Sequence, residues 1–382
     1  MKATPTLLLL SVMTMMAISC TDPTPHDMLT VINADGSCYR EFCLNADSNS
    51  LKPDTGNQIG LTKKLISKLP IIPDVTWSVT WSTNEDSIGE RQPFESNAYD
   101  SVLKVSKGEP VRLFVSKTFP SVEALDTAFR FADDNPWNQL SVTHRLQKRF
   151  RWFYTYYVYT ETYPLLDSEF QLPILQFMNP KEAQFWFKGD QTLLTGMNGF
   201  EIRDFSGDME SKFNQWLSKN LWYECCDSIY THYELIPNAP VDKDAFISLK
   251  DSLYNTQING NPNFEIADVM NRFFKTTAYS ILDEQKDVLF DSILENKRFV
   301  ALMADSYTYR LRMPGQLTAT PTYALVTEEG VTWRLTADRL MLNGLVLEAK
   351  SRKANTWAFV LTGVVILAAL FGAFRRKKQA PQ

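Results

Sequence analysis

Hydrophobic and polar positions alternate most strictly over residues 75–82. Val75, Trp77, Val79 and Trp81 fall on one side and Thr76, Ser78, Thr80 and Ser82 on the other. A period of two predicts a half-buried strand. Residues 28–32 and 37–45 flank Asn33-Ala34-Asp35-Gly36, a turn signal that predicts a hairpin. Residues 102–105 and 111–115 flank Gly108-Glu109-Pro110 and predict a second hairpin. Residues 120–125 predict a short helix with Ser121 as its cap. From 147 to 163 the chain is dense in aromatic residues: Phe150, Trp152, Tyr154 and Tyr156 share one parity, and Phe153, Tyr157 and Tyr159 the other. This predicts one long strand buried on both faces, in which Trp152, Tyr154 and Tyr156 are core. The competing reading is an aromatic platform for sugars or lipid headgroups.

The period then changes. Met209, Phe213, Trp216 and Leu217 stand at i, i+4, i+7 and i+8 and predict a helix over 206–229. Phe246, Leu249 and Leu253 mark a helical stripe over 242–253, and 263–304 reads as a long helical stretch that breaks near Lys286. Strand patterns return where Tyr307, Tyr309, Leu311 and Met313 alternate with Thr308, Arg310 and Arg312, and again over 331–335 and 345–349. The expected fold class is α+β. A sandwich-like β-rich domain is assembled from 28–178 and 305–354, with a helical insertion over 179–304 between them.

Both termini carry apolar runs. After Lys2, an apolar stretch over 7–18 leads to small residues and Cys20, which predicts a signal peptide over 1–19. Residues 357–374 carry no charge, cover about 27 Å as a helix, and are followed by Arg375-Arg376-Lys377-Lys378. The expectation is a transmembrane helix over 356–374 with a basic cytoplasmic tail over 375–382. Ala17-Ile18-Ser19-Cys20 resembles the lipobox of bacterial lipoproteins, with Ala17 where Leu is usual. That resemblance implies a lipidated Cys20 at the head of a polar tether over 20–27. Together these place the body outside the cytoplasm, in the periplasm, at the bacterial inner membrane, with membrane lipid as a partner.

Composition narrows the function classes. Formal charge is −5, from 44 acidic and 39 basic residues of mixed order, which argues against a nucleic-acid partner. Aromatic content of 13% beside three histidines points to packing and recognition more than to acid–base chemistry. After Cys20 the cysteines are Cys38, Cys43, Cys225 and Cys226. In an oxidising compartment they are disulfide candidates in any of three connectivities. A Cys38–Cys43 bridge would close a tiny loop and a Cys225–Cys226 bridge would be strained, so two cross-links between the segments would satisfy geometry better if those segments pack together. The Cys-Cys dipeptide is poor zinc spacing, so neither metal nor cofactor is expected.

Two patches carry a family resemblance. One is Asn33-Ala34-Asp35-Gly36-Ser37 with Arg40. The other is Met313-Pro314-Gly315, then Gly330-Val331-Thr332-Trp333-Arg334-Leu335, then Leu347-Glu348-Ala349-Lys350-Ser351. Over about a fifth of the chain they resemble the membrane-proximal domain of LppM-like bacterial lipoproteins. The resemblance implies a β-sandwich-like domain with lipid contact, although the large helical segment departs from that pattern.

No HExxH, P-loop or GxGxxG sequence occurs. His26 lies in the tether, His144 precedes the aromatic run and His232 follows a helix, and none stands near a nucleophile as a triad would require. Paired carboxylates for glycoside hydrolysis could come from Asp133, Asp134, Glu161 and Asp167. The expectation is a non-enzymatic binding or assembly component of the envelope, with another envelope protein as a further partner. The alternatives are a lipid- or glycan-binding module and, behind it, a carbohydrate-active enzyme.

Overall fold

The structure, a computed structural model, describes residues 24–47, 51, 60–83, 91–94, 102, 106, 110–133, 135–285, 289, 293, 297–303, 305–328 and 330–378. The signal-peptide region, Cys20, Asp134, Lys286 and the strand expected over 103–105 lie outside the described residues. The chain is α+β and divides into two compact units. Among the described residues, one unit comprises 24–25, 165–306 and 335–344, and the other 26–164, 307–334 and 345–378.

The second unit holds two sheets. Its strands are β1 (Thr24–Ile32), β2 (Cys38–Ala46), β3 (Ser78–Ser82), β4 (Gln92–Pro93), β5 (Val111–Phe119), β6 (Thr143–Phe150), β7 (Tyr154–Tyr163), β8 (Asp305–Arg312), β9 (Gln316–Leu317), β10 (Leu325–Thr327), β11 (Gly330–Leu335) and β12 (Leu345–Ala354). The larger sheet runs β10-β11-β8-β1-β2-β5-β3-β4 and the smaller β6-β7-β12-β9. Late strands thus enter sheets begun by early ones: β8 lies beside β1, and β12 pairs antiparallel with β7 along its whole length. The inner faces of both sheets form the core, where Phe42, Trp137, Tyr159, Tyr307, Tyr309 and Trp333 are fully buried. Burial of a side chain such as Phe42 stabilises by roughly 1.5–3 kcal/mol.

The β1–β2 hairpin closes through Asn33 N–H donating to Ser37 O at 2.8 Å, with Gly36 at φ +107°. Gly315, at φ +79°, lies flat against β12: a Cβ there would stand 2.2 Å from the Arg352 carbonyl oxygen.

The aromatic run over 147–163 is not one strand. The chain reverses at Arg151, whose N–H donates to Tyr154 O at 2.8 Å while Tyr154 N–H donates back at 3.0 Å. The run is therefore a β6–β7 hairpin, and side-chain parity alone cannot reveal such a reversal. Trp152 stands at its tip, 47% exposed, and the expectation that it is core is corrected. Tyr154 and Tyr156 point to the half-buried outer face of β7, whereas Tyr157, Tyr159 and Tyr163 are buried inside.

The first unit is helical. Its long helix, Gly199–Thr231, starts at a capping box in which Asn198 accepts from Glu201 N–H and Glu201 accepts from Asn198 N–H. Trp216, Trp222, Cys226 and Ile229 on this helix are fully buried. The long helix expected over 263–304 is broken earlier: Ile266–Phe274 ends at Lys275, whose left-handed backbone (φ +50°) stops the turn. Lys188, itself buried, donates to the carbonyl oxygens of Arg339 (2.6 Å) and Gly344. Those bonds tie the helix Pro180–Lys188 to the returning segment 335–344.

Two further expectations are corrected. Among the described residues, no helix is long and apolar enough to cross a membrane. The C-terminal helix runs over Thr356–Lys378. The transmembrane assignment of 356–374 falls, and with it the inner-membrane location and the cytoplasmic tail that depended on it.

Disulfides are the second correction. Cys38, Cys43, Cys225 and Cys226 are all free thiols. Cys38 and Cys43 lie five residues apart on the extended β2, which separates them by about 17 Å, far beyond disulfide reach. Cys225 and Cys226 are consecutive in the long helix, and their Cα spacing of about 3.8 Å is too short.

Candidate functional site

Two features of the β-rich unit stand out: a charged cluster sealed between its sheets and an exposed aromatic collar at one end of the β6–β7 hairpin. The cluster follows from strand parity. Arg40 points inward from β2 and Glu161 inward from β7, among positions that alternation otherwise fills with Tyr157, Tyr159 and Tyr163. Arg40 Nη2 lies 3.4 Å from both Glu161 oxygens, and both side chains are buried.

The remaining capacity of Glu161 is taken up. It accepts from Tyr159 Oη at 2.6 Å and from Tyr163 Oη at 2.8 Å, and His144 Nε2 lies 3.1 Å away. His144 Nδ1 meets Asp126 Oδ1 at 2.7 Å, and the same oxygen accepts from His144 N–H at 2.8 Å. Arg40 Nε donates to Thr30 Oγ1 at 3.1 Å, and the guanidinium lies 4.8 Å from the Phe129 ring centre.

Burial alone would raise the Glu161 carboxyl, but Arg40 and then His144 outweigh it and hold the group well below the usual carboxylate range. Burial together with Glu161 pushes the Tyr159 and Tyr163 hydroxyls far up, so both remain donors. Arg40, Tyr159 and Tyr163 donate to the carboxylate and His144 packs against it, so Glu161 is closely engaged by its own neighbours. This is the chemistry of a structural clamp.

A cavity of about 40 Å³ borders the cluster, lined by Arg40, Asp126, Trp137, His144, Glu161 and Tyr163 among others. It has room for a few water molecules. Asp133 and Asp167 are exposed residues, whereas Glu161 is buried among Arg40, His144, Tyr159 and Tyr163. His26 packs its ring 5.3 Å from Tyr307, and His232 Nδ1 lies 3.1 Å from Ser228 O. Among the described residues no group of His, Cys, Asp and Glu could hold a metal ion.

The collar is built where the hairpin tip meets the start of the C-terminal helix. Phe150 stacks on Trp357 at 6.3 Å, Trp152 meets Trp357 edge-on at 5.3 Å, and Phe153 lies 4.7 Å from Phe359. Trp152 Nε1 donates to Thr362 Oγ1 at 2.9 Å. Asn355 Nδ2 donates to the carbonyl oxygens of Arg151 (2.8 Å) and Trp152 (3.1 Å), fixing the helix start to the tip. Beyond the collar the helix is exposed on all sides: Val360, Val364, Val365, Ile366, Leu367, Leu370 and Phe371 are each at least half open.

Of the residues singled out in the sequence, Trp152 joins this collar and Tyr154 touches it through Phe359 at 5.8 Å. Tyr156 lies farther along the outer face of the sheet. The cluster was missed as a unit. Its signal was a charge on the inward parity of two strand patterns, Arg40 between Cys38 and Phe42 and Glu161 between Tyr159 and Tyr163.

No family model, no curated protein and no solved structure matches this chain.

Proposed function

We propose that this protein is a non-enzymatic binding or assembly component whose attachment element is the C-terminal helix with its aromatic collar. The observation that carries the reading is the apolar exposure of that helix on all sides. A helix apolar all round is one that is covered in its working state. Its partner is therefore apolar, either lipid acyl chains or the apolar surface of another protein. The collar supports the reading, because Asn355, Trp152 and Trp357 hold the helix firmly to the sheet and a load on the helix passes to the β-rich unit. The closed Arg40–Glu161 cluster supports a non-enzymatic role, since its acid is already engaged by its own neighbours.

A photo-crosslinking residue placed at Val365, in the full chain expressed in its native cells, tests this. Covalent capture of a lipid or of one defined protein is the expected result, with no capture from an exposed control position such as Asp204. Equal labelling at both positions, with the purified chain monodisperse in detergent-free buffer, would overturn it.

A further inference from the structure

The outer face of the smaller sheet carries a pattern of its own. Antiparallel register sets its outward side chains in rows across three strands. Arg149, Tyr156 and Arg352 form one row; Gln147, Val158 and Lys350 the next; Arg145, Thr160 and Glu348 the third. The β6 and β12 members of these rows are exposed and the β7 members half-buried. The face is thus a shallow floor of Tyr154, Tyr156 and Val158 between two cationic flanks. Neighbouring strands lie about 4.8 Å apart, so Arg149 and Arg352 stand roughly 10 Å apart across Tyr156.

The guanidinium of Arg352 lies 4.9 Å from the Tyr154 ring centre, and that of Arg151, in the hairpin turn, 5.9 Å from the Tyr156 ring centre. The rings therefore hold arginine heads close to the floor. The outward positions of β6, β7 and β12 include a single carboxylate, Glu348, which Lys350 engages at 2.6 Å. On a chain of net charge −5, this concentration of cations is local and one-sided. Like charges gathered on one sheet face repel, and an anion laid between them removes that cost.

The complementary ligand is anionic, elongated and able to use aromatic rings. A sugar ring presents an apolar C–H face that suits Tyr154 and Tyr156, and its carboxylate or sulfate groups suit the planar fork of arginine on either side. A flat layer of lipid headgroups would use the cations and leave the tyrosine floor without a role. We propose that the outer face of β6, β7 and β12 binds an acidic polysaccharide, with sugar rings over Tyr154 and Tyr156 and their anionic groups on Arg149 and Arg352. This surface does not include the exposed apolar residues of the C-terminal helix, so the inference stands or falls apart from the reading above.

Titration of the full chain with polygalacturonate, dextran and polyglutamate, followed by calorimetry, tests it. Polygalacturonate is expected to bind, neutral dextran not, and polyglutamate at least roughly tenfold more weakly than polygalacturonate, because it lacks the sugar face. The double variant Arg149→Gln with Arg352→Gln should lose roughly tenfold or more in polygalacturonate affinity. Tyr156→Ser should lose roughly tenfold for polygalacturonate and leave polyglutamate unchanged. All three positions are on the outer face, and an unchanged melting temperature confirms that each variant is folded. Equal affinity for polyglutamate would overturn the sugar assignment. So would binding to phosphatidylglycerol vesicles that depends on the same arginines while polygalacturonate does not bind. Polygalacturonate binding unaltered in both variants would place the ligand elsewhere and likewise overturn the proposal.

Discussion

Arg40 on β2 and Glu161 on β7 face each other at 3.4 Å across the interior of the sandwich, each almost wholly removed from water. Their pairing joins the two sheets at one point by charge. Removing one partner strands the other in a medium that cannot solvate it. Arg40→Met should therefore destabilise the β-rich unit by about 3–5 kcal/mol, read from urea unfolding. Adding Glu161→Gln to that variant should recover part of the loss, because Gln removes the stranded charge, accepts from one of the two tyrosine hydroxyls with its Oε1 and can donate to the other from its Nε2. If the double variant is no more stable than the single one, the charge pair is not what holds this point together.

The same pair sets an acid response. Glu161 titrates lower in the folded chain than its ordinary value of 4.5. A lowered carboxyl favours the folded state above the unfolded value, and the benefit is withdrawn as pH falls below it towards the folded value. The stability difference between the native protein and Glu161→Gln should be largest near about pH 7 and should shrink steadily on acidification below about pH 4.5. Parallel stability curves for the two proteins across that range would contradict the assignment.

Burial pushes the Cys38 thiol up to about 11, and burial raises the Cys225 and Cys226 thiols further. Thiols of this kind react poorly in the folded state. A maleimide added to the native chain should label Cys43 first, since it is only partly buried, and should label Cys38, Cys225 and Cys226 only after unfolding. Rapid native labelling of Cys226 would show that the long helix opens more readily than its packing implies.

Trp152 rests on the hairpin tip and against Trp357 rather than in the core. Trp152→Ala should change stability by no more than about 1 kcal/mol, in contrast to the 3–5 kcal/mol typical of a core tryptophan. The same change should loosen the start of the C-terminal helix, read as faster amide exchange over 356–362. A loss of core size would return Trp152 to the interior.

Gly315 combines a left-handed backbone with close approach to β12. Gly315→Ala places a methyl group against the Arg352 carbonyl and strains the turn, so a loss of about 1–3 kcal/mol or more is expected in thermal unfolding. A neutral effect would mean that β12 shifts at little cost.

Much of this was legible in the residues. The hairpin at Asn33–Gly36 and the helical stripe through Met209, Phe213 and Trp216 follow from local spacing, because turn geometry and helical period act over a few residues. The return of strands at Tyr307 follows in the same way. These features depend on which side chains can share a face, and the sequence by itself determined them. It also determined that no familiar catalytic motif is present.

What the tertiary structure alone decided is which faces meet. Whether residues 147–163 form one strand or two depends on a reversal at Arg151 that alternation does not record. Whether Arg40 finds Glu161 depends on two sheets closing over strands more than a hundred residues apart. Cys38 and Cys43 were two of four disulfide candidates, and the extended β2 holds them apart. The rows of Arg149, Tyr156 and Arg352 exist only in the register of three strands. Local pattern assigns a side chain to a face, whereas pairing, register and closure are set by packing between distant segments, and that is where the charge clamp and the cationic face arise.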